Sequence, residues 1–254
     1  MKITLVMYLE VLVLVLLSFP FHISFLKAQE KIEFPKAVIV TDPADKQKIR
    51  GYTHLAIVWG EQLRPTSLYP RALINLKDAM NRWTDVYTTL DTHLKLDSER
   101  LLTMPFIFLT TDEAFKPTPL ELDNVKKYLE NGGFIVFDNG TPTNSVGPAE
   151  KSFKQMIRDA LGAEAQFTFI SDNHPLYHSF FDFDDGPPPG ITQGFANPAS
   201  LEGVWFKDRL ITIYSNSGYV GKWNEVDGNT LQLKMGINMV IFALTQKGSI
   251  VQKE

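Results

Sequence analysis

Three short segments of this chain concentrate the side chains that can move protons, bind anions or hold a metal. The first, Asp138-Asn139-Gly140, directly follows an apolar run at 134–137. A carboxylate at a strand end can act as base, metal ligand or hydrogen-bond acceptor, and a glycine beside it admits close backbone approach. Asp and Asn are also ordinary turn residues, so the same pair can form an Asx turn or cap the helix near Ala149. The second segment, residues 172–179, reads DNHPLYHS and holds two of the five histidines. On a helix, His174 and His178 would share a face at i and i+4, with Asp182 or Asp184 as a third metal ligand. The HExxH glutamate is missing, so no metal is expected; the alternative is His174 as a capping loop residue and His178 as a partly buried hydrogen-bonder. The third, Ser215-Asn216-Ser217-Gly218, follows 210–214 and offers hydroxyl, amide and backbone donors to an anion or oxyanion, or forms a plain turn. Ser215, His174 and Asp138 compose a hydrolytic triad on paper, but no G-x-S-x-G elbow accompanies them.

These segments need a scaffold, and the pattern along the chain supplies one. Short β-branched and aromatic runs at 37–40, 55–59, 86–89, 106–110, 134–137, 167–170 and 210–214 alternate with helical periodicity. That alternation predicts a three-layer α/β fold, a mostly parallel sheet with helices on both faces. Ala72, Leu73, Leu76, Ala79, Met80 and Trp83 fall on one helical face, as do Phe153, Met156, Ile157, Ala160 and Leu161 before the stop at Gly162. Thr118-Pro119-Leu120-Glu121 carries a capping box with proline at the first helical position, and Asn131-Gly132-Gly133 ends that helix. A last helix is expected over 231–244. In open sheets of this kind ligands bind beyond the carboxyl ends of the strands, which is where Asp138 and Ser215 fall. Tyr52, Trp59, Tyr69, Tyr219 and Trp223 can line a pocket there or simply pack at the core and rim.

Composition narrows the chemistry. The 254 residues are 44% hydrophobic and 21% charged, which is globular, and the net charge of −4 argues against a nucleic-acid surface. The absence of cysteine excludes disulfides, cysteine-ligated zinc, iron–sulfur clusters and a thiol nucleophile. No G-x-G-x-x-G or P-loop occurs, and no cofactor is expected.

The first 28 residues differ from the rest: Lys2 precedes an unbroken apolar run at 11–17, and Leu26-Lys27-Ala28 ends on a small residue. This pattern predicts a secretory signal peptide cut after Ala28 and a periplasmic protein of net charge −5. The alternative is an uncleaved anchor, the one case in which membrane contact is expected. The expected organisation is a leader at 1–28, a lead-in at 29–50, one α/β domain at 51–246 and a tail at 247–254. Within the domain, Asp184-Asp185-Gly186-Pro187-Pro188-Pro189-Gly190 opens a Pro-rich excursion near 184–200, since three prolines cannot donate to a ladder.

Several segments together resemble the bacterial family known as domain of unknown function 4159: 52–59, 106–139 with ELDNVKKYLENGGFIVFDN, 172–181 with DNHPLYHSFF, 201–216 with LEGVWFKDRLITIYSN, and 235–244 with MGINMVIFAL. The resemblance covers roughly residues 51–245 and implies a class I glutamine amidotransferase-like or flavodoxin-like arrangement. It carries no established reaction or cofactor. The amidotransferase-like relatives use a cysteine at a strand-to-helix turn; this chain has none, and the strand-end position nearest that role is Asp138. GGFIVFDN also resembles sugar-utilisation relatives of the fold, which implies a carbohydrate-like ligand by fold analogy alone.

Two functions compete on these grounds. One is an exported binding or interaction module recognising a small polar ligand or an envelope protein, with Asn139, Gly140, His178, Ser215 and Asn216 at the site. The other is a hydrolase-like enzyme using Asp138 and His174 as acid–base groups, which requires both to meet in one cleft.

Overall fold

A computed structural model describes residues 35–142, 145–191 and 200–252. The expected leader and residues 192–199 of the Pro-rich excursion lie outside the described residues. From Lys36 onward the chain forms one compact unit, and no helix among the described residues is long and apolar enough to cross a membrane.

Eight strands form one sheet: β1 (Val38–Asp42), β2 (Asp45–Trp59), β3 (Asp85–Lys95), β4 (Ile107–Leu109), β5 (Ile135–Asp138), β6 (Thr168–Phe169), β7 (Leu201–Phe206) and β8 (Arg209–Ser215). The sheet is mixed, where a mostly parallel one was expected. Strands β3, β2, β4, β5 and β8 run parallel in that spatial order. Antiparallel strands add to this block: β1 pairs with the first half of β2 on the side away from β3, and β7 and then β6 continue from β8.

The physical reason is connection length. A parallel neighbour needs a crossover of a dozen or more residues, whereas two residues between β7 and β8 allow only a hairpin. That turn is Lys207-Asp208, both with positive φ (50° and 63°), the primed geometry that matches strand twist. Residues 38–50, expected as a lead-in, form β1 and the first part of β2.

The helices are α1 (Ala72–Trp83), α2 (Pro119–Glu130), α3 (Pro148–Leu161), α4 (Tyr219–Asn224) and α5 (Thr230–Thr245). Helices α1, α4 and α5 cover one face, where Leu76, Trp223 and Ile237 join a core with Leu55, Phe108, Val136 and Ile213. On the other face, α2 and α3 bring Val125, Leu129, Phe153 and Ile157 against Val58, Ile107, Leu109, Ile135 and Phe137. Successive β4 and β5 residues thus serve opposite cores, as the two-residue period of a doubly covered strand demands. Each fully buried Leu or Phe contributes about 1.5–3 kcal/mol.

The capping box is present: the Thr118 hydroxyl accepts from the Glu121 N–H at 3.3 Å and Glu121 Oε2 accepts from the Thr118 N–H at 2.7 Å. Asn238, fully buried in α5, accepts from the N–H groups of Phe180 and Phe181 and donates to the Phe181 carbonyl. It pins the segment after His178 to the core.

The chain leaves neighbouring strands toward opposite faces at two places. After β2 it enters α1 and after β4 it enters α2; after β5 it enters α3 and after β8 it enters α4. Each divergence opens a crevice at the carboxyl edge of the sheet.

Candidate functional site beyond β5 and β8

Asp138 ends β5 directly opposite Ser215 at the end of β8, and its side chain is fully buried. Oδ2 accepts from the Val220 N–H at 2.8 Å. Burial dominates and pushes the carboxyl up to about 7, against the opposing pull of the Val220 N–H and the nearby Ser215, Tyr219 and Gly218 donors, which favour the ionised form. Gly218 precedes α4 in the left-handed region (φ 67°) and has no side chain to cap it. Asp138 caps α4 from the adjacent strand, so its capping role goes to α4 and not to the helix near Ala149. Oδ1 has no hydrogen-bond partner among the described residues.

Asn139 ties the two strand tips together. Its Nδ2 donates to Asn216 Oδ1 at 2.9 Å, its N–H donates to the Ser215 carbonyl at 2.9 Å, and its Oδ1 accepts from the Thr141 N–H at 3.2 Å, the expected Asx turn. A Cβ at Gly140 would lie 2.5 Å from Asp112 Oδ1 and 3.3 Å from Thr110 Oγ1. The close approach that this glycine admits is therefore made by the Asp112 carboxylate.

Asp112 and Thr110 follow β4 and complete the cluster. Asp112 Oδ2 accepts from the Thr66 hydroxyl at 2.5 Å, joining the loops after β2 and β4. Asp112 Oδ1 and Thr110 Oγ1 are buried atoms without a partner among the described residues. Tyr69 stands half-buried nearby; burial raises its hydroxyl pKa, and the negative charges of Asp112 and then Asp138 raise it further. Sequence reasoning placed Tyr69 among pocket-lining aromatics but missed Thr110 and Asp112. The same strand-end rule that found Asp138 points to them once it is applied to β4.

The described part of the Pro-rich excursion straps over this edge. The Tyr219 hydroxyl donates to the Pro188 carbonyl at 2.5 Å, Gln232 Nε2 to the Pro189 carbonyl at 2.6 Å, and the Ile191 N–H to the Ser217 carbonyl at 2.9 Å. A Cβ at Gly190 would sit 1.8 Å from the Ser217 carbonyl oxygen, so only glycine lets the strap lie this close.

The other sequence-derived residues fall elsewhere or act locally. Ser215 is fully buried, and its hydroxyl accepts from the Ser217 N–H at 3.1 Å while supporting Asp138. His174 caps a short 3-10 turn (Pro175–His178), Nδ1 accepting from the Leu176 N–H at 3.1 Å. Its ring packs against Trp205 and Phe242, and burial lowers its pKa. Trp205 is paired with Leu210, five residues before Ser215 along β8, a separation of about 16 Å at the rise of a strand. His174 thus packs beside the opening end of β8 and Asp138 beside its closing end, with no contact between the two among the described residues. His178 Nδ1 lies 3.1 Å from Asp182 Oδ1 on the surface, and Lys46 pairs with the same carboxylate. Among the described residues, no three His, Asp or Glu side chains are placed to hold a metal ion.

A solved structure of a putative ThuA-like protein from Bacteroides uniformis ATCC 8492 is similar at 15% identity and a TM-score of 0.40, over 85% of this chain and 98% of that one. No curated protein matches. The family described as domain of unknown function (DUF4159) matches residues 54–244, a span running from the middle of β2 to the end of α5 and containing Asp112, Asp138 and Ser215. The chain belongs to the DUF4159 family.

Proposed function

We propose that this domain binds a small, neutral, polyhydroxylated ligand in the crevice beyond β5 and β8. The carrying observation is the pair of buried, unpartnered oxygens Thr110 Oγ1 and Asp112 Oδ1 against Gly140, with the unpartnered Asp138 Oδ1 two residues before it in the chain. A buried acceptor without a donor costs about 1–3 kcal/mol, which a ligand hydroxyl returns on binding. Thr110 and Tyr69 hydroxyls donate as well as accept, and an alcohol matches both roles; a cation cannot accept. Two carboxylates repel phosphate and carboxylate ligands. The parallel strand order β3-β2-β4-β5-β8, which is 2-1-3-4-5 when those strands are numbered alone, is that of flavodoxin-like sheets and supports a strand-end site.

The test is thermal unfolding with neutral sugars and polyols beside nucleotides, peptides and divalent cations. A polyol at a hundred times its Kd should stabilise the protein by about 2.7 kcal/mol, and Asp112→Asn and Gly140→Ala should each remove the shift. Stabilisation by divalent cations or peptides alone overturns the reading.

A second reading has Asp138 exchanging a proton with the ligand, favoured by its carboxyl lying at about 7. Tyr69, not His174, would then be its neighbour. The leader supports an exported, envelope-associated protein; N-terminal sequencing of protein isolated from cells should begin at Gln29, and an intact Met1 would sink the cleavage.

A further inference from the structure

A cavity beyond the ends of β2 and β3, beside the start of α2, is not used by the proposed polyol site. It measures about 380 Å³ and is bounded by Trp59 and Gly60 at the end of β2, Glu61 and Arg64 in the following loop, His93 and Lys95 of β3, Asp97, and Thr118 with Glu121 at the start of α2. That volume is near the lower end of small-molecule sites. It therefore suits one ring and not a long chain.

Trp59 and His93 are stacked at 5.7 Å with planes 5° apart, and the indole Nε1 donates to the Thr92 carbonyl at 3.0 Å. The indole is thereby fixed with one ring face toward His93, and its opposite face is what it has left to offer. Glu121 is spent: Oε1 accepts from the Glu61 N–H at 2.6 Å and Oε2 closes the capping box.

Two cations remain. Arg64 Nη1 donates to the Gly60 carbonyl at 2.6 Å and forms no ion pair among the described residues; Lys95 forms none either. Glu61 and Asp97 supply exposed carboxylate acceptors on the same rim. An aromatic plate, two unpaired cations and two acceptors describe a ligand with an apolar ring face, one anionic group and several hydroxyls.

We infer that this cavity at the ends of β2 and β3 is a second binding site, for a pyranose carrying one anionic group, with its ring on Trp59, its anion between Arg64 and Lys95 and its hydroxyls on Glu61 and Asp97. A uronate carboxylate and a sugar phosphate present the same chemistry, so both belong in the test. The site differs from the Asp112–Asp138 crevice in carrying two cations, Arg64 and Lys95, beside its carboxylates.

The experiment is calorimetric titration of the full protein with glucuronate, glucose 6-phosphate, glucose and adenosine monophosphate, with tryptophan fluorescence read in parallel. At least one anionic sugar should bind and alter the fluorescence, with glucose at least about tenfold weaker, the size of one ionic hydrogen bond. Lys95→Met, on an exposed side chain that leaves the core intact, should weaken anionic-sugar binding by about tenfold, and Trp59→Phe should remove the fluorescence response. Gly140→Ala and Asp112→Asn should leave this binding unchanged, so loss of one site is distinguishable from loss of the other. Equal binding of glucose, tighter binding of adenosine monophosphate, no binding of either anionic sugar, or indifference to Lys95→Met would each overturn the inference.

Discussion

At Asp138, one carboxyl group does two jobs whose requirements conflict. Capping α4 favours the charged form, while complete burial favours the neutral one, and burial wins. The consequence for stability has a definite sign. Below about pH 4 both folded and unfolded chains hold the proton. As pH rises toward 7 the unfolded chain releases it first, so folding loses up to about 1.4 kcal/mol per pH unit across that window. Asp138→Asn retains an acceptor for the Val220 N–H and cannot ionise. Its stability relative to the parent, measured by urea unfolding, should therefore rise between pH 4 and 7 and level off above. A difference that stays constant with pH would mean the carboxyl is ionised throughout. The neighbouring Asp112 is within reach of the strand-end rule but easily passed over: Thr-Thr-Asp after a short strand looks like any loop, and its setting comes from Gly140, twenty-eight residues away, admitting it.

Among the elements, those with strong local codes were readable. Thr118-Pro119-Leu120-Glu121 and the apolar stripes of α1 and α3 specify their helices through contacts within a few residues, and the structure places them there. Strand β7 was missed because its hairpin turn has no glycine or asparagine; Lys207-Asp208 adopts a conformation that those residues favour. The same mismatch gives a prediction. Replacing Lys207-Asp208 with Asn-Gly should stabilise the protein by about 0.5–1 kcal/mol by relieving the left-handed strain, visible as a raised unfolding midpoint. A lowered midpoint would show that the two native side chains contribute more than the strain costs. His174 illustrates the opposite failure: its proximity in sequence to acids and hydroxyls implied chemistry, yet the turn starting at Pro175 directs its ring to Trp205 and Phe242.

For the molecule as a whole, the alternation of strands and helices was enough to foresee three layers, because burial on both faces writes itself into every strand. Strand direction was not, because it depends on connection lengths that only become clear once β7 and the first half of β2 are recognised. Long-range polar anchors were equally hidden. Asn238 lies in an almost wholly apolar helix, and nothing nearby in sequence reveals that it meets the backbone of Phe180 and Phe181. Asn238→Leu should strip three backbone groups, buried at Phe180 and partly buried at Phe181, of their partner and cost about 2–4 kcal/mol. Hydrogen exchange should accelerate in residues 175–183 more than in β4 and β5; uniform acceleration would place the effect in the shared core instead.

The length of β2 has a practical consequence for protein production. The family match opens at His54, well inside that strand. A gene fragment cut to the matched residues would discard Ile49 from the core and leave Asp85, Val86, Tyr87 and Thr88 of β3 facing solvent where Arg50, Gly51, Tyr52 and Thr53 had paired with them. Such a bare, partly aromatic edge invites intermolecular strand pairing. A recombinant domain opening at Lys36 keeps the edge closed, and its yield of soluble monomer should exceed that of one opening at His54.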